Sequence, residues 1–469
     1  MTRLVTIRAL LIGLAVPACA RYQPAPLDPP AHLREYRTRS LDDTTLVGWV
    51  DRYAGRIAPQ GWTDRQLAVA GLRLRAEVAR ARAEWRAALA GERSAGARPA
   101  PGANADIERA VSGSGGQPPW VVSVGTLFTF ELGGKRGARV QQARAHTTAA
   151  EAELASAVWQ VVYETRRAAI GVALAAAGVE DATRELEAFR EVQTLETQRF
   201  AEAAVTSSEV ARTSSDVEEA RSAVAAATRT RIESRAVLAA AIGVPTRALD
   251  SIAIAPTTSV ACERLDSIGL DSIQALALTT RPEMALALAG YALAESDVRL
   301  QVARQYPDLD LGPGFIWDQG VHRWTLAMAL PALLGFRNRA PILEAEARRT
   351  AAGARVAETQ ESILGELALA SERCRGTRLE QSAADSQAVV AERSLERAQA
   401  AYARGESARL EAALAQLAVA RAARARRAAS SALVQAGVAL EGAGGEWRGS
   451  EAPAWPDPRR PPEPEGATP

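Results

Sequence analysis

Two regimes of hydrophobic patterning alternate along this chain. From Gln66 to Ala90, Leu67, Leu74, Val78, Ala81, Trp85 and Leu89 fall close to one face of a helix. A Gly/Pro-rich stretch from Gly91 to Pro119 interrupts it, and a strand is expected somewhere within 100–112. Trp120 to Phe130 then alternates. Val122, Val124, Thr126, Phe128 and Phe130 point one way; Val121, Ser123, Gly125, Leu127 and Thr129 point the other. Gly133-Gly134 ends that strand. From Gly137 to about Phe200 there is no proline, and alanine and charged residues dominate, which predicts one very long helix. A second helix is expected over 206–242. The pattern then recurs. Arg281 to Tyr306 reads as a helix with Pro282 at its start. Leu309, Leu311 and Phe315 share a strand face, Asp318-Gln319-Gly320 makes a turn, and Trp324, Leu326, Met328 and Leu330 share the return face. A long helix over about 341–403 and a shorter one over 407–441 complete the second half.

The recurrence is a duplication. Adding 202 to a residue number carries Leu132-Gly133 onto Leu334-Gly335, Ala138 onto Ala340 and Val140 onto Ile342. Further along it carries Phe200 onto Tyr402, Glu209 onto Glu411 and Leu238 onto Leu440. The predicted organisation is a signal segment 1–18, an N-terminal extended segment 19–65, a first repeat 66–244, a linker 245–280, a second repeat 281–445 and a Pro-rich tail 446–469 expected to be disordered. Each long helix has about 64 residues, on the order of 95 Å. One globular core cannot bury such a rod. In each half the two shorter helices together match its length, which predicts long antiparallel helices with β-hairpins at one end. The fold class is mainly α with a small β part.

Charge and composition narrow the chemistry. The 56 basic and 55 acidic residues nearly cancel, and Lys135 is the sole lysine. A balanced, interspersed charge does not point to nucleic acid. The three histidines and three cysteines are scattered, without metal-ligand spacing, and no nucleophile–base constellation or phosphate loop is present. No enzyme, cofactor or metal site is expected. Arg3 and Arg8, an apolar run to Ala18 and then Cys19 form a secretory signal too short to span a bilayer. The segment resembles a lipoprotein signal, which would make Cys19 the lipidated N-terminus; an ordinary signal cut near Ala18 or Ala20 is the alternative. Ala20 after the cysteine favours the outer membrane by the same resemblance.

With no apolar run long enough for a transmembrane helix, only strands closed into a barrel could span a membrane. Four strands cannot close alone, whereas twelve from three chains can. This organisation resembles the TolC family of outer-membrane efflux channels. The resemblance rests on the duplication, the Arg281-Pro282-Glu283 start, the passage Phe130-Glu131-Leu132-Gly133-Gly134-Lys135-Arg136, and the turns near Val205 and Gly405. Glu131 to Arg136 looks most like the heavy-metal, CzcC-like branch. The resemblance implies a homotrimer in which a 12-stranded β-barrel in outer-membrane lipid continues into a 12-helix barrel. It also implies a periplasmic adaptor and an inner-membrane pump, commonly of the resistance–nodulation–division type, as partners. The chain would be the passive exit duct of a tripartite system in a Gram-negative bacterium.

On this resemblance, the turns between long and last helices form the periplasmic tips that dock an adaptor: Phe200, Ala204, Val205 and Thr206 in the first half, and Tyr402, Arg404, Gly405, Glu406 and Ser407 in the second. Thr206 and Glu209 have capping-box spacing, and Ser407 is the expected N-cap of the last helix. Asp216, Glu218, Glu219, Glu392 and Glu396 are candidates for a carboxylate-ringed constriction, though single charges on helices are more often solvated faces. Gly133, Gly134 and Gly335 mark the strand-to-helix turns. Trp120, Trp317 and Trp324 read either as a membrane girdle or as ordinary packing. Cys262 and Cys374 are either bonded, as the periplasm permits, or two free thiols. Competing classes are a periplasmic adaptor, disfavoured by the duplicated hairpins and missing strand-rich modules, and a structural coiled coil, disfavoured by the Gly/Pro-interrupted strands.

Overall fold

A computed structural model describes residues 22–109, 111–112, 120–255, 261–318, 320–329, 338–445 and 459. Cys19, Gln319, Leu330 and Gly335 lie outside them. Two compact units divide at Ser40. The first carries α1 (Pro29–Thr38), capped by the Asp28 side chain on Ala31 N–H and with proline in its first turn.

The second unit begins with α2 (Thr44–Ala54), whose N-terminal amides of Thr45 and Leu46 bond the Asp43 carboxylate. Those bonds, with the Thr45 hydroxyl foremost, hold the Asp43 carboxyl below its ordinary range. Next come α3 (Asp64–Leu74) and α4 (Ala76–Ala95). The sequence predicts one helix here. The chain instead breaks at Arg75, which is extended (φ −72°, ψ 123°). Strands β1 (Gly102–Arg109) and β2 (Trp120–Phe130) lead into α5 (Lys135–Ala201) and α6 (Ser207–Ile242). After a 3₁₀ turn at Thr246–Leu249 come the short linker helices α7 (Ala261–Ile268) and α8 (Leu270–Thr280). Then follow α9 (Pro282–Ala303), β3 (Leu309–Asp318), β4 (Val321–Ala329), α10 (Arg339–Ala403) and α11 (Arg409–Gly444). The strand expected within 100–112 is β1.

α5 and α10, of 67 and 65 residues, are each about 100 Å long. Their interiors are rich in alanine, the best helix former, whose small side chain also lets neighbouring helices approach closely. Each runs antiparallel to its own last helix: α5 packs on α6, and α10 on α11. Nearer the strands α4 lies on α5, and α9 bridges α5 and α10. α11 packs on α5 and so joins the two halves. The largest core gathers Leu41, Val50, Trp62, Leu67, Leu238, Ile242 and Leu249 where α2, α3 and α6 meet α5. Its counterpart holds Ile363, Leu367, Cys374 and Leu440, with Cys262 from α7. There Cys262 and Cys374 form a disulfide with Cα atoms 5.4 Å apart.

The four strands form one antiparallel sheet in the order β1-β2-β3-β4, leaving β1 and β4 as edges. Among the described residues no helix is long and apolar enough to cross a membrane.

Candidate functional site

The sheet has two chemically distinct faces, read off its register. Residues paired across strands share a face. One face presents Ala105, Val124, Phe315 and Trp324 in one row, with Phe128, Leu311 and Met328 in another and Pro313 beside Leu326. Trp324 is 85% exposed and Leu326 71%, although apolar side chains of this size are normally withdrawn from water. The opposite face carries Asn104, Gly125, Gly314 and Thr325 in one row and Asp106, Ser123, Ile316 and Arg323 in the next. A Cβ on Gly125 would lie 2.8 Å from Asn104 Oδ1, and one on Gly314 2.8 Å from Thr325 Oγ1. The polar side chains therefore lie flat over glycine backbone. Ser123 donates to Asp106, Thr129 donates to Asp310 at 2.6 Å, and Arg323 pairs with Asp318 at 3.1 Å. One apolar face, one polar face and strands of 8 to 11 residues suit a barrel wall in lipid.

A collar of charge fixes the sheet to the helices. Gly133 and Gly134 both have positive φ (68° and 74°), and a side chain on Gly133 would run into Tyr306. Glycine is therefore required at this turn. Lys135 reaches Asp308 at 2.7 Å. Arg139 forks onto Glu131 and also donates to the carbonyls of Ala95 and Ala97 at the end of α4. Arg136 adds Gly96. Cations at a helix C-terminus satisfy its orphan carbonyls and oppose its dipole. In the second half Asn338, which the duplication makes equivalent to Arg136, donates to Gln301 O at the end of α9.

At the far ends of the long helices the two tips share one backbone design. Ala203 N donates to Phe200 O and Ala204 N to Arg199 O; Gly405 N donates to Tyr402 O and Glu406 N to Ala401 O, all at 2.9 Å. This is the paired bonding of a left-handed helix end. Gly405 takes φ 74° freely, but Ala203 takes φ 55° and is the one described non-glycine with positive φ. Phe200 and Tyr402 are exposed at equivalent positions. Thr206 caps α6 and forms the full box with Glu209. The bonds from the Thr206 amide and hydroxyl hold the Glu209 carboxyl below its usual range. In the second tip the N-cap is Ala408, not Ser407, because α11 starts at Arg409. Ala408 has no side-chain oxygen to offer, and Ser407 Oγ is buried without a hydrogen bond. Arg404 instead forks onto Glu406 at 2.8 and 2.7 Å, lowering the Glu406 carboxyl.

The carboxylates singled out near the tips are spread along two helices. Asp216, Glu218 and Glu219 lie on α6 and Glu392 and Glu396 on α10. Glu218 pairs with Arg221 at 2.6 Å, while Glu219, Glu392 and Glu396 are exposed. Periodicity does not reveal the stronger charge cluster, which lies between α5 and α11. Asp181, 5% exposed, meets Arg427 at 2.8 Å, and Glu185 meets Arg424 at 2.6 Å. Burial pushes the Asp181 carboxyl upward against the pull of Arg427. Arg421 lies 4.7 Å over the Phe189 ring. Leu186, Ala188, Phe189 and Val192 of α5 share a core with Leu410, Ala413 and Leu417 of α11. Among the described residues no group of His, Cys, Asp and Glu is placed to hold a metal ion.

A duplicated helical framework carries the two-faced sheet, and this fold recurs in solved structures described as outer-membrane channels. Residues 68–244 match the family model described as outer membrane efflux protein. Solved structures share the fold over most of the chain. A membrane protein from Pseudomonas aeruginosa matches with a TM-score of 0.66 at 21% identity, over 91% of this chain and 96% of that one. The outer membrane protein VceC from Vibrio cholerae gives 0.65 at 21%, over 85% and 98%. The MtrE outer membrane channel of Neisseria gonorrhoeae gives 0.63 at 20%, over 88% and 94%. No curated protein matches at significance.

Proposed function

We propose that this chain is one subunit of an outer-membrane efflux channel, the passive exit duct of a tripartite system. The observation that carries the reading is the four-stranded sheet with one apolar and one polar face and two edge strands, joined to helices of about 100 Å. Edges exposed to lipid are not viable. Three copies supply the twelve strands that close a barrel, and their long and stacked helices continue it as a twelve-helix tube. The work is transport rather than covalent chemistry. An inner-membrane pump, of the resistance–nodulation–division type on the family resemblance, supplies the cargo through a periplasmic adaptor. Phe200, Tyr402 and the Arg404–Glu406 pair sit where that adaptor docks, and the carboxylates of α6 and α10 are the constriction candidates. Cys19 is the lipid anchor in the outer membrane. The CzcC-like stretch Glu131–Arg136 favours metal cations as cargo.

The test is the native mass of the protein extracted from outer membranes in mild detergent. A species of three 49.6 kDa chains supports the duct. A soluble monomer absent from outer membranes overturns it.

A further inference from the structure

One arginine stands on the apolar face of the sheet, and no anion on that face answers it. Arg109 ends β1 opposite Trp120 of β2, and its guanidinium lies 5.4 Å over the Trp120 ring. The acidic residues of the strands, Asp106, Glu108, Asp310 and Asp318, all fall on the polar face by register. Among the described residues Arg109 has no ion-pair partner, and the apolar face carries no carboxylate. The other strand arginine, Arg323, lies on the polar face and is paired with Asp318. At the helix end of the sheet Lys135, Arg136 and Arg139 each meet a carboxylate or a carbonyl. An unpaired cation beside apolar surface is costly unless an anion reaches it. The height of Arg109 says where that anion lies. The eleven residues of β2, tilted as strands are in a barrel, rise about 26 Å, close to the apolar band of such walls. Phe130 and Leu309 mark the helix end of that band, and Arg109 with Trp120 the far end. In a barrel wall Arg109 therefore stands at the level of lipid headgroups.

The duplication adds a second aromatic. Adding 202 carries Val122 onto Trp324 and Trp120 onto His322. The hairpin pairs, Arg109 with Trp120 and Trp317 with His322, then make Arg109 the equivalent of Trp317. Within the chain Val122 pairs with Trp317. In the proposed trimer the same pairing between copies would set Trp324 opposite Arg109 of the next copy. Trp324, so exposed in the single chain, would cover the side of the guanidinium that Trp120 leaves open. We infer that Arg109, held between Trp120 of its own copy and Trp324 of the next, binds the phosphate of a phosphorylated glycolipid in the outer leaflet. The inference rests on the trimeric channel reading and goes past it to a lipid site at each seam. A guanidinium stacked between two rings keeps the N–H donors in its own plane free, and their fork matches two phosphate oxygens. A lysine ammonium has no such plane. One copy supplies half of the clamp, so the site is complete only at the junction of β4 and β1. A lipid that binds only the assembled seam stabilises the trimer by mass action.

The test is native mass spectrometry of the full chain in mild detergent with lipid A added. Trimers should retain one lipid A per chain, and Arg109→Gln should reduce retention severalfold while the trimer still forms. Equal retention by the two overturns the inference. So does equal retention of dephosphorylated lipid A by the native protein, because the phosphate is then not what is read. Displacement of the lipid by millimolar inorganic phosphate would assign the site to a free anion and overturn the lipid. Trp324→Leu keeps the charge and removes one ring. It should weaken lipid A retention severalfold, and it decides the matter should Arg109→Gln fail to assemble; unchanged retention overturns the clamp. A native protein that is not trimeric fails the channel reading itself, and the seam site with it. Trimers indifferent to the phosphate of lipid A fail the inference alone.

Discussion

Glu164 and Glu366 occupy equivalent positions on the two long helices, and each receives an arginine from the break in the helix packed alongside. Arg75 reaches Glu164 at 3.3 Å and its own Glu77 at 2.7 Å; Arg281 reaches Glu366 at 2.6 Å and Glu283 at 3.2 Å. Each joint also abuts a left-handed glycine, Gly243 (φ 86°) or Gly445 (φ 71°), that ends the last helix of its half. The Arg281 side chain is 8% exposed, against 22% for Arg75. Charged hydrogen bonds contribute more as water is excluded. Arg281→Ala should therefore cost about 2 kcal/mol, and Arg75→Ala less. Thermal unfolding of the detergent-solubilised protein checks the order; a larger loss at Arg75 would contradict it.

Each tip lacks what its twin possesses. The first has the capping box but strains Ala203; the second has Gly405 but no cap at Ala408. Ala203→Gly should relieve about 1 kcal/mol of left-handed strain. Ala408→Thr should build a box with Glu411 and add about 1 kcal/mol. Slower amide exchange over 202–210 in the first variant and 404–412 in the second is the expected result. Faster exchange in either would show that the tip needs its native defect.

Acid should loosen the tips. Glu209 and Glu406 both have folded carboxyl pKa values below the ordinary 4.5. A depressed carboxyl contributes stability above its unfolded pKa, and that stability is lost as pH falls through the folded one. Tip amide protection should be level near neutrality and decline once the pH drops below 4.5. Glu209→Gln and Glu406→Gln should flatten the response at their own tips. A decline unaffected by both would assign the acid sensitivity elsewhere.

The long helices were legible because Gly137–Phe200 holds no proline and its alanines favour helix, and the observed ends lie close to the expected ones. The turn glycines 133 and 134 declared themselves by type. The break at Arg75 was not legible. No glycine or proline marks it, and its apolar spacing reads straight through. What holds the break is remote: the backbone of Leu74 and Arg75 meets the end of α6 at Gly243, and Arg75 caps Ala240 O at 3.1 Å. β1 was hidden for another reason. Gly-Ala-Asn-Ala-Asp-Ile-Glu-Arg is an edge strand with a single large apolar residue, so little alternation survives. The α5–α11 charge cluster was invisible because its partners lie in opposite halves of the chain, on separate helices, where no local spacing relates them.

The disulfide should matter most in the second half. Cys262 and Cys374 close a loop of 112 residues, and cross-links over such spans stabilise by roughly 2–5 kcal/mol. In the first half the equivalent of Cys374 is Val172, packed in a larger core with Trp62 and Leu41. The linker helix α7 is short and has a thinner core. Cys262→Ala with Cys374→Ala should lower the unfolding temperature and open 261–268 to protease while 41–62 stays protected. Equal sensitivity of both regions would refute a local staple.

In the proposed trimer, the duplication predicts how the sheet edges of neighbouring copies would meet. β4 is the repeat of β2, since Val124 corresponds to Leu326. Their hairpin partners, Ala105 and Pro313, are then equivalent in turn, which makes β3 the counterpart of β1. Within the chain Val124 of β2 pairs with Phe315 of β3. The same pairing between copies would bring Leu326 opposite Ile107 of the next chain, and Met328 opposite its Ala105. Leu326 and Ile107 are 71% and 69% exposed in the single chain, both on the apolar face. A one-residue slip would turn every side chain of one strand to the wrong face, so the register is strongly specified. Leu326→Cys with Ile107→Cys should link copies into covalent trimers on oxidation, whereas Leu326→Cys with Glu108→Cys should not. Equal linking by both pairs would mean that the edges meet loosely and that the in-chain β2–β3 register is no guide to closure.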